Sequence, residues 1–435
     1  MTPFAAIFVP AELRDAVSDT AWLEGMLEAE RALAAACAAV GLVSSEAATR
    51  ITKACRVELY DVEQLAEEGR AVGNPAEPLV RALRRAVGDE AADAVHFGAT
   101  SQDVVDTAAM LVARRASGLV VAELDRLAEG CAGLAREHRD TPMAARTLLQ
   151  HAVPTTFGLK AAGWLTGVLE ARRRLAAVLD ERLAAQLGGA AGTLASFGDD
   201  ALPIAQRYAA ELALQEPVLP WHANRQRLVE LGSALDAAAG AAAKIGLDLA
   251  LLAQTEVGEV AEESGGGSST MPQKRNPVSS TLAVASARLA HAHASVLAGG
   301  IAHEHERAVG AWHAEWEALS GALAFAGGAV AAAADAVTGL QVDTDRMRAN
   351  LEASGGVVLG ERISFALTPR LGRREAHAIV GDAARAPSFR KALLADERVG
   401  LSAHELEELL DPERYLGSTG ALVDRALASY EKERR

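Results

Sequence analysis

The groups best suited to chemistry lie in one glycine-rich stretch, residues 265–277, which reads GGGSSTMPQKRNP. Three successive glycines disfavour a helix, because glycine loses more backbone entropy there than any other residue. Two serines and two cations follow, and Asn276-Pro277 then resembles an N-cap before a proline in the first turn of a new helix. The positive end of such a helix attracts anions. The stretch predicts a lid that carries proton-transfer and anion-binding groups.

A second polar stretch, residues 96–107 (HFGATSQDVVDT), opens a long predicted helix that continues to about Arg139. Thr100 and Asp103 fit a variant of the capping box, which accounts for both residues without any function. Capping does not account for His96 and Ser101 beside them. Substrate binding at this helix start and simple capping therefore both stay open.

A third polar cluster lies at residues 142–156 (PMAARTLLQHAVPTT), at the break between two predicted long helices. Four polar side chains gather in this otherwise apolar region: Arg146, Thr147, Gln150 and His151. A single histidine near a helix start is more often hydrogen-bonded than catalytic. For His151 both interpretations remain open.

Histidine and glutamate are dense at residues 303–307 (HEHER), which we place at the start of another predicted helix. Neighbouring residues on a helix face different ways, and the run lacks the H-E-x-x-H spacing of a zinc site. We therefore expect no metal, and expect instead a charged helix face beside an active site. The run at 188–193 (GGAAGT) predicts a tight turn with close backbone approach, but does not match a dinucleotide-binding loop.

The elements that position these groups are predicted to be long helices. Half of the residues are apolar but only 4% are aromatic, and the strong helix formers alanine and leucine are abundant. We predict an all-α protein of three helical domains: an N-terminal domain at 1–98, a central long-helix bundle with the lid at 99–342, and a small C-terminal domain at 343–435. The first long helix is predicted to follow the glycine-containing turn in residues 96–107 and to continue to about residue 139. The others are predicted at residues 154–187, 224–257, 278–299 and 303–337.

The net charge and the cysteine content limit the binding partners and the cellular compartment that we expect. The net charge of −15 over 435 residues argues against a nucleic-acid-binding surface, although a few cations in one cleft can still bind an anion. Three cysteines without CxxC spacing suggest a reducing compartment. We find no signal-peptide pattern and no convincing membrane span; the most apolar stretch, 319–334, is predicted to be a buried helix with close backbone contacts. We expect a cytoplasmic protein that binds neither nucleic acid nor membrane.

With these stretches in view, the chain resembles the fumarase/aspartase superfamily. GSSTMPQKRNP is similar to the superfamily's signature loop, and HFGATSQDVVDTA and RTLLQHAVPTTFG are similar to its other two active-site segments. Within the superfamily, these segments are most similar to bacterial 3-carboxy-cis,cis-muconate cycloisomerases. Adenylosuccinate lyases typically carry a catalytic histidine in an RTH pattern, where this chain has Arg146-Thr147-Leu148. A purine-nucleotide substrate is therefore disfavoured.

The resemblance implies a homotetramer whose long helices form a central bundle, with each active site shared by three subunits. It implies cofactor-independent elimination or addition beside a carboxylate, on a small di- or tricarboxylate; the cycloisomerase reaction turns 3-carboxy-cis,cis-muconate into 4-carboxymuconolactone. By resemblance to the signature's first serine, Ser268 exchanges the proton, with Ser269 as runner-up and His151 or His96 as the partner acid or base. The residues expected to bind substrate are His96, Thr100, Ser101, Gln150, Lys274, Asn276 and Arg307.

Two other functions stay open. One is a fumarate-releasing lyase on a succinyl-type substrate, similar to nitrosuccinate lyase or adenylosuccinate lyase. The other is a non-catalytic structural protein of the same fold. The intact polar residues of two stretches argue against it: Ser268, Lys274, Asn276, Thr100 and Ser101.

Overall fold

The computed structural model describes residues 3–263, 266–267, 271 and 274–434. Ser268 and Ser269 lie outside the described residues. The fold is all-α, with only short strands beside the helices. The α-helices are α1 (Ala11–Ala16), α2 (Asp19–Ala39), α3 (Ser45–Ala54), α4 (Val62–Val72), α5 (Ala76–Val87), α6 (Asp89–Ala92), α7 (Ser101–Glu137), α8 (Phe157–Glu181), α9 (Ala201–Glu211), α10 (Gln226–Leu252), α11 (Val278–Gly299), α12 (Ala311–Thr338), α13 (Thr344–Glu352), α14 (Gly360–Leu371), α15 (Arg373–Ala384), α16 (Phe389–Ala395), α17 (Ala403–Leu409) and α18 (Thr419–Glu433).

Within the described ranges, the short strands form three antiparallel pairs. Strands β1 (Pro142–Thr147) and β2 (Gln150–Thr156) make a hairpin. Strand β3 (Val260–Glu262) pairs with β6 (Leu340–Val342). Strand β4 (Gly266–Gly267) pairs with β5 (Arg275–Asn276). The last pair brings the two ends of the glycine-rich stretch together.

The chain divides into two compact units. Unit 1 comprises Met1–Asp125, Glu170–Ala243 and Leu282–Ala332, and unit 2 comprises Arg126–Leu169, Lys244–Thr281 and Ala333–Arg435. The long helices α7, α8, α10, α11 and α12 contribute residues to both units. Within unit 2, residues 363–406 form a hydrophobic core of their own. The three-domain boundaries at 98/99 and 342/343 stay predictions.

Polar caps start the first helices of unit 1. The Ser18 hydroxyl accepts the Ala21 N–H at the start of α2, so Ser18 caps this helix. Ser44 caps α3 in the same way. The buried face of α2 is apolar except for Glu30, which is only 1% exposed. Because a buried carboxylate is costly without partners, Glu30 must be paired.

Glycine lets helix α12 pack closely in unit 1. A Cβ on Gly328 would lie 2.2 Å from the Phe8 carbonyl oxygen, and one on Gly327 would lie 2.4 Å from the Leu13 side chain. The predicted close backbone contacts at 319–334 are therefore confirmed. Helix α12 is long and apolar enough to cross a membrane, but 78% of its apolar window is buried inside the protein.

Three predicted elements differ from the structure. Residues 142–156 form the β1–β2 hairpin rather than an irregular break, and α8 begins at Phe157, after the second strand. Helix α12 begins at Ala311 and not at His303, because Gly310 adopts a φ of +91° and the Glu304 carboxylate accepts the Val309 N–H in a preceding loop. The HEHER run is therefore in a loop, and the predicted charged helix face is wrong.

A buried charge network stabilises the core of unit 1. The Arg225 guanidinium donates to Asp106 at 2.8 and 2.9 Å and to the Glu315 carboxylate at 2.5 Å. The Trp312 indole N–H donates to Asp106 at 2.9 Å, and all four side chains are buried. Breaking such a pair leaves an uncompensated buried charge, at a cost of about 3–5 kcal/mol.

Two carboxylates share one guanidinium in this network. Burial, helped by the negative charge of Asp106, raises the pKa of Glu315 to about 7, although the Arg225 guanidinium opposes the shift. When Glu315 ionises, the Asp106–Arg225–Glu315 group gains a net negative charge away from water.

We predict that this ionisation weakens the fold as pH rises. The pKa of Glu315 in the folded state lies above its ordinary value of 4.5, so its stabilising contribution is complete below about pH 4.5 and is lost as pH rises through about 7. Glu315→Gln mimics the protonated form and removes this dependence. The melting temperature of the wild type should therefore fall relative to that of Glu315→Gln between pH 5 and pH 8.

Thermal unfolding followed by circular dichroism across this pH range measures the difference. Glu317→Gln, an exposed position on the same helix, is the control and should track the wild type. A difference between wild type and Glu315→Gln that does not change with pH would contradict the predicted ionisation.

Candidate active site

The buried carboxylate of Asp103 organises the candidate site in unit 1. It accepts the Thr100 N–H at 3.0 Å on its own helix start, and the N–H groups of Gly188 and Gly189, each at 2.9 Å, from a distant loop. His222 Nε2 lies 2.6 Å from the same carboxylate, and Asp103 is 1% exposed. Asp103 therefore ties the start of α7 to the loop that follows α8. The capping interpretation of Asp103 was right, but it covers only one of these four bonds.

Glycines let these segments approach each other. A Cβ on Gly188 would lie 2.8 Å from the His222 ring, and one on Gly189 would lie 2.9 Å from the Gly98 carbonyl oxygen. Gly98 has a φ of +70°, and a Cβ there would lie 2.7 Å from the Phe197 ring. The predicted tight glycine turn is confirmed.

Arg307 joins both segments that Asp103 holds. Its guanidinium donates to the Thr100 hydroxyl at 3.0 Å and to the Ala190 carbonyl at 3.1 Å. Ser101 follows as the first residue of α7 and is half-buried. A guanidinium beside a helix N-terminus is a favourable place for a carboxylate.

His96 lies just before this helix start and is bound to Glu30 of α2. His96 Nδ1 is 2.5 Å from Glu30 Oε1, and the His96 N–H donates to Glu30 Oε2 at 3.1 Å. Burial disfavours the imidazolium, but the charge and hydrogen bond of Glu30 outweigh it and raise the pKa of His96. Unit 1 thus assembles His96, Thr100, Ser101 and Arg307 around one helix start.

Gln150 and His151 lie in unit 2, at the start of strand β2. Both side chains are exposed, and the Gln150 amide donates to the neighbouring Leu149 carbonyl. The hairpin turn before them consists of Leu148 and Leu149, which are 96% and 73% exposed and have φ values of +51° and +64°. Left-handed backbone at two leucines is strained, and such strain concentrates at functional sites.

The turn end of the same hairpin is held by an ion pair to a buried carboxylate. Arg146 donates to Glu259 through two bonds, of 2.9 and 2.6 Å, and the Asn350 amide donates to Glu259 at 2.9 Å. Glu259 is fully buried and directly precedes strand β3. Arg146 therefore fixes the hairpin to the segment that leads into the glycine-rich stretch.

The lid predicted from the glycine-rich stretch is described only at residues 266–267, 271 and 274–277. Lys274 is exposed, and its N–H donates to the Met271 carbonyl at 3.0 Å. Asn276 lies in strand β5 opposite Gly266, and so is not the N-cap of α11.

The Glu262 carboxylate caps α11 instead. It accepts the Ser279 and Ser280 N–H groups, each at 2.9 Å, and the Ser280 hydroxyl at 2.6 Å. The positive end of this helix is therefore occupied by the protein's own carboxylate. The prediction that this helix start attracts a substrate anion is wrong for those N–H groups.

The sequence predictions missed the residues that hold the site together. Glu30, His222, Glu259 and Glu262 contact the candidate segments from distant parts of the chain. Glu30 had a local signal, since it is a charged residue at an apolar position of α2. Within the described part of the chain, no group of three or more His, Cys, Asp or Glu side chains has the arrangement of a metal site.

Comparison with known proteins identifies the family. A family model described as lyase matches residues 10–289, and a model described as adenylosuccinate lyase C-terminus matches residues 356–426. The chain is 49% identical to nitrosuccinate lyase from Streptomyces davaonensis, covering 96% of this chain and 92% of that protein. It is 48% identical to 3-carboxy-cis,cis-muconate cycloisomerase from Pseudomonas aeruginosa, covering 98% of this chain and 96% of that protein.

The fold agrees with these matches. The crystal structure of the 3-carboxy-cis,cis-muconate lactonizing enzyme from Pseudomonas putida superposes with a TM-score of 0.93, at 42% identity and with full coverage of both chains. The likeness covers the whole length, including the segments that carry His96, Gln150 and Lys274. The chain is therefore an enzyme that belongs to the fumarase/aspartase superfamily.

Proposed function

We propose that the enzyme is a cofactor-independent cycloisomerase that converts 3-carboxy-cis,cis-muconate to 4-carboxymuconolactone. The observation that carries the proposal is the assembly of Arg307, Thr100 and His96 at one helix start in a chain 42–48% identical to cycloisomerases of that name over nearly its whole length. The substrate bears three carboxylates, and this assembly offers a guanidinium, a hydroxyl and an imidazole to bind them.

The reaction needs charge stabilisation and one proton. A substrate carboxylate oxygen attacks an alkene carbon, and the π electrons move to the neighbouring carbon, whose own carboxylate takes up the developing charge. Preorganised donors stabilise that charge, and a proton delivered to the carbon completes the lactone. In the proposed assignment, Ser268 exchanges this proton, with Ser269 as runner-up, and Lys274 and Asn276 hold the anion.

The exposed hairpin supports an active site shared between subunits. Gln150 and His151 belong to unit 2 and are exposed next to a strained leucine turn, whereas His96 and Arg307 belong to unit 1. We propose a homotetramer in which three subunits supply these segments, with Gln150 binding a carboxylate and His151 as the acid or base partner. A cytoplasmic location fits the three free cysteines.

Nitrosuccinate lyase is the second candidate, favoured by a relative that is 49% identical. In that reaction a base removes the proton beside a carboxylate, and nitrite leaves to give fumarate. The proton exchange and the anion binding are the same, so the shared residues suit both reactions. Leu148, fully exposed on the turn, cannot transfer a proton and argues against an adenylosuccinate lyase mechanism.

Parallel assays separate the two candidates. The purified enzyme is mixed with 3-carboxy-cis,cis-muconate while the diene absorbance is followed, and with nitrosuccinate while nitrite is measured colorimetrically. Loss of the diene absorbance with a kcat/KM at least about tenfold above that for nitrosuccinate would support the cycloisomerase. Nitrite release with the reverse preference would assign the lyase instead.

We predict that Ser268→Ala lowers kcat by about 10³-fold or more and leaves KM within about threefold, because a positioned proton carrier contributes mainly to the chemical step. Steady-state kinetics on the preferred substrate measure both constants. Ser269→Ala is the matched comparison and should have the smaller effect. Near-normal turnover of Ser268→Ala together with a severe loss in Ser269→Ala would show that Ser269, and not Ser268, carries the proton.

We also predict that Arg307→Lys raises KM about tenfold, because lysine keeps the charge but loses the planar fork that bonds to both Thr100 and the Ala190 carbonyl and so orients the cation. Arg307→Ala should lower kcat/KM by a further factor of about ten. Arg385→Lys, at an exposed ion pair with Asp382, is the control and should behave as wild type. Unchanged kinetics in Arg307→Ala would show that Arg307 does not bind the substrate.

A further inference from the structure

We propose that Glu30 is a positioning residue that fixes the His96 imidazole through Nδ1 and so makes His96 Nε2 an N–H donor to a substrate carboxylate. This inference rests on the proposed function, because it assigns a partner to a residue of the same site. Glu30 belongs to α2, which none of the polar stretches in the sequence includes.

The contact geometry restrains both the ring and the backbone. One carboxylate oxygen of Glu30 is 2.5 Å from His96 Nδ1, and the other accepts the His96 N–H at 3.1 Å. His96 has a φ of +61°, a left-handed conformation that is uncommon for a non-glycine residue. Two bonds from a single side chain therefore hold the strained backbone and fix the ring orientation together.

Burial shields the contact between the Glu30 carboxylate and His96 Nδ1 from water. The Glu30 side chain is 1% exposed, and the His96 side chain is 14% exposed. A carboxylate so deeply buried is retained only when it is paired, so Nδ1 must carry the proton that it donates to Glu30. Nε2 makes no hydrogen bond to the described residues and is left as the ring atom for a ligand.

The charges around the ring favour the protonated form. Burial lowers the pKa of His96, but Glu30 of α2 raises it through its charge and hydrogen bond, and Asp103 of α7 adds to the increase. Arg84 of α5 opposes them, and the pKa is raised on balance. With Nδ1–H directed at Glu30, protonation places the second hydrogen on Nε2.

The imidazolium completes a cationic site at the start of α7. Arg307 supplies a guanidinium at Thr100, and protonated His96 supplies a second positive donor just before the same helix. Carboxylates bind most strongly to charged donors of this kind. Removing the charge of Glu30 lowers the pKa of His96, so the imidazolium loses its proton and its positive charge at a lower pH.

Glu30→Gln is the test, because it keeps the size of the side chain and one accepting oxygen, but removes the charge and replaces the other oxygen with a donating NH2 group. Histidine-selective labelling and NMR titration measure the pKa of His96, with its resonance assigned from its absence in His96→Asn. The kcat/KM profile from pH 5.5 to 9 is measured on the preferred substrate. Glu24→Gln, on the same helix and paired with Arg115 at the surface, is the matched control.

We expect the pKa of His96 to fall in Glu30→Gln and the alkaline limb of kcat/KM to move to lower pH by the same amount. A fall of about one unit would reduce kcat/KM about tenfold above both pKa values and much less below them. Glu30→Asp, which restores the charge, should recover part of both shifts, and it keeps the question testable if Glu30→Gln does not fold. Glu24→Gln should leave both profiles unchanged.

Two results would overturn the inference. One is a pKa of His96 that is the same in Glu30→Gln and wild type. The other is a loss of activity of equal size at every pH, which would indicate a purely structural role. If the wild type turns over neither substrate, the proposed function falls, while the NMR titration still decides whether Glu30 controls the charge of His96.

Discussion

The site in unit 1 depends on one buried carboxylate. Asp103 gathers backbone N–H groups from its own helix start and from the loop after α8, and also holds the His222 ring. The charge of a buried carboxylate demands several donors at once, and only one arrangement of these segments supplies them. Thr100 and Arg307 inherit their positions from that arrangement, since one is anchored by Asp103 and the other bonds to both anchored segments.

The helices could be predicted from the sequence because their signals are local. Helix α11, for example, matches its predicted bounds of 278–299. The hairpin at 142–156 could not be predicted, because its turn is Leu148-Leu149 rather than the asparagine or glycine that usually marks a two-residue turn. There the tertiary structure imposes a backbone that the turn residues themselves disfavour.

The groups that could do chemistry were predictable by type, but the groups that position them were not. Arg225 pairs with Asp106 and Glu315 across separations of 119 and 90 residues, and no local pattern predicts such a contact. Asn276 was a reasonable N-cap by spacing, yet Glu262, 17 residues before Ser279, takes that place. Glu30 is the instructive exception, since a charge within an apolar helix face already indicates a buried partner.

In the proposed tetramer, the leucine turn of the hairpin would link catalysis to the concentration of the protein. A single chain exposes two apolar side chains on a strained backbone, next to Gln150 and His151. Covering this turn in the proposed tetramer would bury the two leucine side chains and so offset the backbone strain. Ordering of the hairpin would then be thermodynamically coupled to assembly. Specific activity would then decline on dilution as the tetramer dissociates. In cells that make little of the enzyme, each chain would therefore be less active.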